Sequence, residues 1–490
     1  MIPDIAPTGS HSISSINSLM KSNFNIKLYV LLPLTLIVSA ILWFLPLECF
    51  GIEGLTELQQ RTMAVFAFAA LMWLFEIIAP WATSVTTIVI LLFAVSDKGF
   101  VSPDDGVAVG YREILSSFAD PVIMLFLGGF VLAICANKVG IDKYLARTML
   151  RVFGTRPHFI LLGLLLVNGV FSMFMSNTAT AAMMLAFLAP MLAKMPEQGN
   201  GRVALALAIP IAANIGGLGT PIGTPPNAIA LGQLAKMGCD IGFGTWMTHM
   251  VPYVLVMLLI SWGLLLLLYP MSNDSMTLEI EVPKTFSRDF WIVAVVFPVT
   301  IILWLTGKLT HIDSNIVALI PFAVFAITGV FTSSDFGKVD WHILWMVAGG
   351  FALGTSLNQT GLADTLVRSI PFASWSAWVL ILGAGMLIYL LSTFISNSSA
   401  ASLLMPMLAV IDTAMADKMS VLGGSGSLLI YVAICCSLAM TLPISTPPNA
   451  IACATGLVKT KDMVKVGVAI GIVGALVGFL MIKLFPMVPA

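Results

Sequence analysis

Apolar residues run in blocks along this chain, and polar residues separate or interrupt them. Whole blocks occupy 28–47, 62–77, 81–95 and 121–137. Others fall at 251–269, 290–307, 314–331, 341–357 and 464–485. Two regions differ. Residues 158–193 carry Ser176-Asn177-Thr178 in their middle, and residues 375–411 carry Ser396-Asn397-Ser398. Two further runs, 203–234 and 427–457, are broken by glycine and proline. Lipid offers the backbone no hydrogen-bond partner, so apolar blocks of this kind predict helices. The pattern predicts an all-α polytopic membrane protein with about 11 transmembrane helices and two re-entrant helical hairpins.

Composition agrees. Of 490 residues, 59% are hydrophobic and 10% charged, where a soluble chain carries roughly 25% charged residues. Charges this sparse cannot cover a water-facing surface. A net charge of -1 leaves no electrostatic footprint for nucleic acid. The five histidines (His11, His158, His249, His311 and His342) are scattered and form no nucleophile–base or metal grouping, which argues against an enzyme. Cys435-Cys436 lies in an apolar run and reads as two small hydrophobes. Nothing resembles a charged ring or a filter of repeated carbonyls, so a channel is disfavoured. Residues 1–27 are a polar, Ser-rich tail without the look of a cleaved signal peptide, and 28–47 reads as a retained anchor.

Charge orients the spans. Loop 138–156 holds Lys138, Lys143, Arg147, Arg151 and Arg156 against Asp142, which places it inside. Loop 97–120 is net acidic and reads as external. Alternation then puts the N-terminus inside and the C-terminus outside, as for a multi-pass protein of a bacterial cytoplasmic (inner) membrane. Loop 270–289 should be inside yet carries four acids against two bases.

The halves repeat. Leu127-Gly128-Gly129-Phe130 matches Ala348-Gly349-Gly350-Phe351 at an offset of 221. Ser176-Asn177 matches Ser396-Asn397 at 220, and Thr224-Pro225-Pro226-Asn227-Ala228-Ile229-Ala230 matches Thr446-Pro447-Pro448-Asn449-Ala450-Ile451-Ala452 at 222. Five predicted crossings separate loop 138–156 from its partner near 359–373, and an odd number inverts the second repeat. The chain divides into a tail (1–27), scaffold helices (28–119), a first repeat (120–269, hairpin 158–193), a linking loop with scaffold helices (270–340), and the core of the second repeat (341–490, hairpin 375–411). Inverted repeats with discontinuous helices meeting at the midplane are a transporter pattern.

The midplane groups are polar and uncharged. Asparagine and serine or threonine side chains at a helix terminus join free backbone amides and the positive dipole end, which suits a carboxylate. Freed carbonyls suit sodium. The pairs Pro225-Pro226 and Pro447-Pro448 remove amide donors and forbid a regular helix through them. Glycines at 216, 217, 219 and 223 allow a close, unwound approach. Without basic residues in these cradles, a dianion needs co-bound cations to offset its charge. Glu76 and His249 flank spans and read as interface residues.

With Phe171-Ser172-Met173-Phe174-Met175-Ser176-Asn177-Thr178-Ala179-Thr180, Gly223-Thr224-Pro225-Pro226-Asn227-Ala228, Ser396-Asn397 and Thr446-Pro447-Pro448-Asn449-Ala450, the chain resembles the divalent-anion/sodium symporter family from about residue 28 onward. The resemblance implies a homodimer in lipid, an elevator-like movement of one domain against a scaffold, and sodium ions as the coupling ions, with no other cofactor. It implies that Asn177, Thr178 and Thr224 hold one carboxylate of a small dianion, and that Ser396, Asn397, Ser398, Thr446 and Pro447 hold the other. One sodium would lie against Ser172, Ser176, Asn177 and Gly223. A second would lie against Ser392, the Ile395 carbonyl, Asn397 and Ser445. Ser398 stands where the first tip has Thr, Thr393 where many relatives have Glu, and Ser445 where some have a smaller residue. The expected activity is sodium-coupled symport of C4-dicarboxylates such as succinate, malate or fumarate. The alternatives are sodium-independent exchange of a dicarboxylate or citrate, and sodium/sulfate symport.

Overall fold

A computed structural model describes residues 26–102, 105–193, 195, 199–271, 286–369 and 375–487. All of the predicted tail but Ile26 and Lys27 therefore lies outside the described residues, as do most of loop 270–289 and residues 370–374. Among the described residues no β-strand forms, and Ser96 and Val109 make one isolated bridge.

Three long helices precede the first repeat: α1 (Lys27–Phe44), α2 (Glu57–Phe75) and α3 (Pro80–Ala94). The first repeat comprises α4 (Pro121–Val139), α5 (Ile141–Arg151), α6 (Pro157–Phe174), α7 (Asn177–Ala193), α8 (Asn200–Gly216), α9 (Pro225–Lys236) and α10 (Phe243–Leu268). Two long helices link the halves, α11 (Arg288–Leu305) and α12 (Ser314–Thr328). The second repeat follows in the same order as α13 (Trp341–Gln359), α14 (Leu362–Ser369), α15 (Ala377–Phe394), α16 (Asn397–Ala414), α17 (Ser427–Ser437), α18 (Pro447–Ala454) and α19 (Thr460–Leu484).

Local chemistry sets the ends. Thr56 and Gln59 form a reciprocal capping box at the start of α2. Proline opens α3, α4, α6, α9 and α18, where a missing amide hydrogen costs nothing. Gly140 ends α4 with φ at 75°, a left-handed turn suited to glycine.

Nine described helices are long and apolar enough to cross a membrane, and a bent pair raises this to ten. The sequence pattern predicts about 11 spans. The difference lies in four expected spans: α3, α12 and α17 are only 15, 15 and 11 residues long, and α13, although 19 residues, is less apolar than any of the nine. Two of the nine, α6 and α15, are first arms of the interrupted regions. Large apolar side chains face outward on α1, α11, α12 and α15, such as Phe44, Trp291, Ile327 and Val379. Lipid, not water, accommodates such a surface.

In lipid, helices associate through close backbone approach rather than hydrophobic burial. The repeated Gly-Gly motif supplies this twice. A Cβ on Gly128 of α4 would stand 2.0 Å from the Ala318 carbonyl oxygen of α12. A Cβ on Gly349 of α13 would stand 2.4 Å from the Ser84 Cβ of α3.

Contacts between loops separate two ends of the molecule. At one end Lys27 Nζ donates to the Glu76 carbonyl, Lys138 pairs with Asp335, Trp262 reaches the His158 carbonyl, Tyr144 packs on Phe286 and Tyr269 bonds Asp462. At the other end Gln59 donates to the Thr360 carbonyl, Glu113 meets Gln359, and Lys236 bonds Thr355. The surface helices α5 and α14, equivalent in the two repeats, therefore lie at opposite ends. The Tyr269–Asp462 and Tyr144–Phe286 contacts place both flanks of loop 270–289 with the basic loops, despite its acids.

The arms of each interrupted region return to their starting end. His158 and Met195 both lie near residues 262–271, since a Cβ on Gly201 would meet Met195 and Met271 within 3.6 Å. In the second region Lys418 donates to the Trp375 carbonyl, and Lys483 at the far end of α19 lies 4.7 Å from the Trp378 ring. The arms span 157–193 and 377–414, close to the boundaries read from sequence. The halves also interlock: α9 packs on α16, and α18 packs on α7.

Candidate functional site

The break between α6 and α7 is short. Met175 is extended, with φ -125° and ψ 160°, and α7 restarts at Asn177. The Ser176 hydroxyl accepts the Ala179 amide at 3.2 Å and so serves as the cap of α7. Ser172 is fully buried and donates to the Ala213 carbonyl at 2.7 Å. The Asn177 amide meets this group with either face. With its nitrogen inward it donates to Ser172 Oγ at 2.6 Å, the Gly223 carbonyl at 3.1 Å and the Ala213 carbonyl at 3.3 Å. With its oxygen inward, four oxygens face one another with one hydroxyl proton among them. Neutral carbonyl, amide and hydroxyl oxygens are the donors a sodium ion takes. The donor set fits the ion.

Glycine makes this approach possible. A Cβ on Gly217 would stand 2.8 Å from Asn177 Oδ1 and 3.0 Å from the Gly223 carbonyl. A Cβ on Gly223 would stand 2.4 Å from the Gly217 carbonyl.

The second break repeats the plan. Ile395 is extended, with φ -119° and ψ 169°. Ser396 caps α16 by accepting the Ser399 amide at 3.2 Å. Ser392 Oγ lies 2.7 Å from Asn397 Oδ1 and 3.2 Å from the Cys436 carbonyl. Here Cys436 adds a thiol, 3.5 Å from Ser392 Oγ and donating to the Asn397 carbonyl at 3.1 Å. Ser445, the counterpart of Gly223, donates its hydroxyl to the Thr393 carbonyl at 2.7 Å and accepts the Leu442 amide at 3.1 Å.

The fold thus brings Ser172, Asn177 and Gly223 together, and Ser392 with Asn397. The hydroxyls of Ser176 and Ser396 are engaged in local backbone bonds, while that of Ser445 reaches across to the Thr393 carbonyl and so joins the second break beside Ser392. The carbonyls of Ala213 and Cys436 join the two groups without any sign in the sequence, because a backbone oxygen is carried by every residue type. Asn214, beside Ala213, is also absent from the sequence reading, although a buried polar residue before Gly216-Gly217 marked it.

The groups that the sequence reading assigns to an anion lie next to these clusters along the chain. Thr178 is exposed and Ser398 half-buried, each in the first turn of its helix. The first bonds back to the cap carbonyls come from Thr180 and Ala400. The amides of Asn177, Thr178, Asn397 and Ser398 precede them at helix N-termini that favour an anion. Helices α9 and α18 open on two prolines each, which have no amide hydrogen to offer. There the buried hydroxyls of Thr224 and Thr446 stand at the helix start, with Pro447 exposed beside Thr446. The Pro-Pro pairs therefore start helices after an unwound stretch rather than kink them.

A citrate transporter family model matches residues 70–423. An uncharacterized transporter of Haemophilus influenzae is 31% identical over 89% of this chain and 93% of its own length. The sodium-dependent dicarboxylate transporter SdcS of Staphylococcus saprophyticus is 28% identical over 88% of this chain and 87% of its own length. Among solved structures, the YdaH transporter of Alcanivorax borkumensis superposes with a TM-score of 0.56 at 12% identity, covering 84% of this chain and 100% of that one. This last likeness concerns the fold alone. The matched span, the identity to a full-length transporter and the shared helical architecture together place the chain: it is an integral membrane transporter, not an enzyme, and it belongs to the citrate transporter family.

Proposed function

We propose that this protein is a sodium-coupled symporter of C4-dicarboxylates such as succinate, malate or fumarate. The observation that carries the reading is the oxygen cluster of Ser172, Asn177, Ala213 and Gly223 directly behind a helix N-terminus, with a second version at Ser392, Asn397 and Cys436. Each asparagine serves a cation with its side chain and fronts an anion with its helix end. The cation offsets the dianion's charge, which no basic residue in the cradle does. Thr178 and Thr224 complete one carboxylate grip with Asn177. Ser396, Ser398, Thr446 and Pro447 complete the other with Asn397. The name of the SdcS relative, a sodium-dependent dicarboxylate transporter, supports the same reading.

The protein acts as a homodimer in the inner membrane, N-terminus inside and C-terminus outside. Loops rich in Lys and Arg at the Lys138 end support that orientation. The two re-entrant pairs carry the site from one face to the other in an elevator-type movement. Their entry from opposite ends and their interlocking with α9 and α18 support this.

Uptake of labelled succinate into proteoliposomes tests the proposal. An inward sodium gradient should drive accumulation, and replacing sodium with choline should abolish it. Uptake indifferent to sodium would replace this reading with exchange of a dicarboxylate or citrate, which the family description favours as second choice. Competition by sulfate but not succinate would point to sodium/sulfate symport.

A further inference from the structure

Each half carries an asparagine three residues after the threonine that precedes its Pro-Pro pair, Asn227 after Thr224 and Asn449 after Thr446. Both side chains are locked by carbonyls upstream. Asn227 Nδ2 donates to Gly217 at 3.0 Å and Thr220 at 2.8 Å. Asn449 Nδ2 donates to Met440 at 2.8 Å and Leu442 at 3.0 Å. With the nitrogens so used, each Oδ1 faces away from its loop and needs a donor.

Among the described residues only one of them has a donor. Asn449 Oδ1 accepts Asn214 Nδ2 at 3.1 Å, and the same nitrogen reaches Thr446 Oγ1 at 3.1 Å. Asn214 belongs to the other repeat and is 2% exposed. Because Asn449 presents an oxygen, Asn214 must present its NH2. Thr446 Oγ1 also accepts the Asn449 amide at 3.4 Å. Two accepted bonds occupy the lone pairs of that hydroxyl and leave its hydrogen to be given away.

The counterpart of Asn214 is Ser437. The Ser172 hydroxyl bonds the carbonyl before Asn214, and the Ser392 hydroxyl bonds the carbonyl before Ser437. A serine side chain is shorter than that of asparagine and has no amide. Ser437 Oγ and Asn227 Oδ1 are both buried without a hydrogen-bond partner among the described residues. The cross-repeat bond forms on one side of the pseudo-symmetric site alone.

We propose that Asn214 is a positioning residue that turns Thr446 into a dedicated hydrogen-bond donor toward one carboxylate of the ligand. Ser437 is the position where the equivalent device for Thr224 is missing, so the two ends of the ligand are gripped unequally. This rests on the reading of Thr224 and Thr446 as ligand-binding residues.

A mutant cycle in proteoliposomes tests it, with succinate uptake measured at saturating sodium. Asn214→Ala should raise KM about five- to tenfold, a part of the worth of one hydrogen bond to a charged ligand because the Thr446 hydroxyl remains but is no longer oriented, with a smaller change in kcat. In a Thr446→Val background the same substitution should leave KM unaltered, since the hydroxyl it orients is gone. Ser437→Asn should lower KM, by supplying Asn227 and Thr224 with the donor they lack. An equal effect of Asn214→Ala in both backgrounds would reduce it to a packing role and overturn the proposal. A folded Ser437→Asn protein with unchanged or raised KM would overturn it too, even if Asn214→Ala failed to fold. The broader reading fails differently: wild-type protein would then take up no succinate, and the cycle would be run on the anion that it does carry.

Discussion

Asn177 stands 2.6 Å from the Ser172 hydroxyl across a two-residue break in the helix, and Asn397 and Ser392 repeat that contact at 2.7 Å. Each asparagine is tied to the arm before the break and begins the arm after it. In the proposed reading, removing either amide takes away a cation donor and loosens the helix end that faces the anion. Asn177→Ala and Asn397→Ala are each expected to reduce uptake at least about tenfold, from the loss of hydrogen bonds to charged ligands. The check is uptake per folded transporter, with folding followed by size-exclusion profile. A monodisperse variant working at the wild-type rate would remove these residues from the site.

Gly217 offers a sharper probe of the cation cluster, because alanine there adds one carbon and no charge. That carbon would stand 2.8 Å from Asn177 Oδ1, closer than a Cβ approaches a neighbour. Gly217→Ala should displace the amide and raise the sodium concentration for half-maximal uptake severalfold. Sodium-dependent thermal stabilisation of the purified protein measures the same loss without transport. A sodium titration superimposable on wild type would mean that the ion binds elsewhere.

The polar interruptions at Ser176-Asn177 and Ser396-Asn397 were legible in the sequence because an uncharged polar triplet inside an apolar block has few uses. The inverted order was legible from the repeated Thr-Pro-Pro-Asn motif and from charge. Other parts were not. The carbonyls of Ala213 and Cys436 carry no residue-type signature. The hydroxyls of Ser176 and Ser396 act as helix caps, a role indistinguishable in sequence from ligation at the same position. The Gly-Gly landmarks registered as a repeat, but their purpose appears only when α4 meets α12 and α13 meets α3. The acids of loop 270–289 ran against the side expected from alternation, and its flanks nonetheless lie with the basic loops, since acids carry little weight in orientation.

The paired glycines make a stability prediction that does not involve the site. Gly349→Val would drive a branched side chain into Ser84, where even a Cβ would lie 2.4 Å from its Cβ. Overpacking of this kind costs about 1–3 kcal/mol. The melting temperature in detergent should fall by several degrees, while Gly383→Ala, whose added carbon would meet nothing within 4 Å, should leave it within a degree or so. Equal melting temperatures for the two variants would refute close packing of α13 on α3.

Asp335 gives a pH dependence whose sign follows from its partners. The carboxylate is 1% exposed and takes bonds from Lys138 at 2.6 Å, Lys338 at 2.8 Å and the Thr332 hydroxyl at 2.8 Å. Burial pushes its pKa up, but the two ammonium groups and Thr332 outweigh burial and hold it well below the ordinary value of 3.8. A carboxylate with a depressed folded pKa stabilises the protein above its unfolded value, and that stabilisation is lost as pH falls through and below it. Lys338 is 60% exposed and adds little in water, so most of the effect belongs to Lys138. Asp335→Asn should therefore cost about 2 kcal/mol at pH 7, from charged hydrogen bonds lost. The cost should shrink as the pH is lowered from 5 to 3, where the wild-type carboxylate begins to lose its advantage. Melting temperatures of both proteins across that range provide the measurement, and a difference between them that widened on acidification would contradict the assignment.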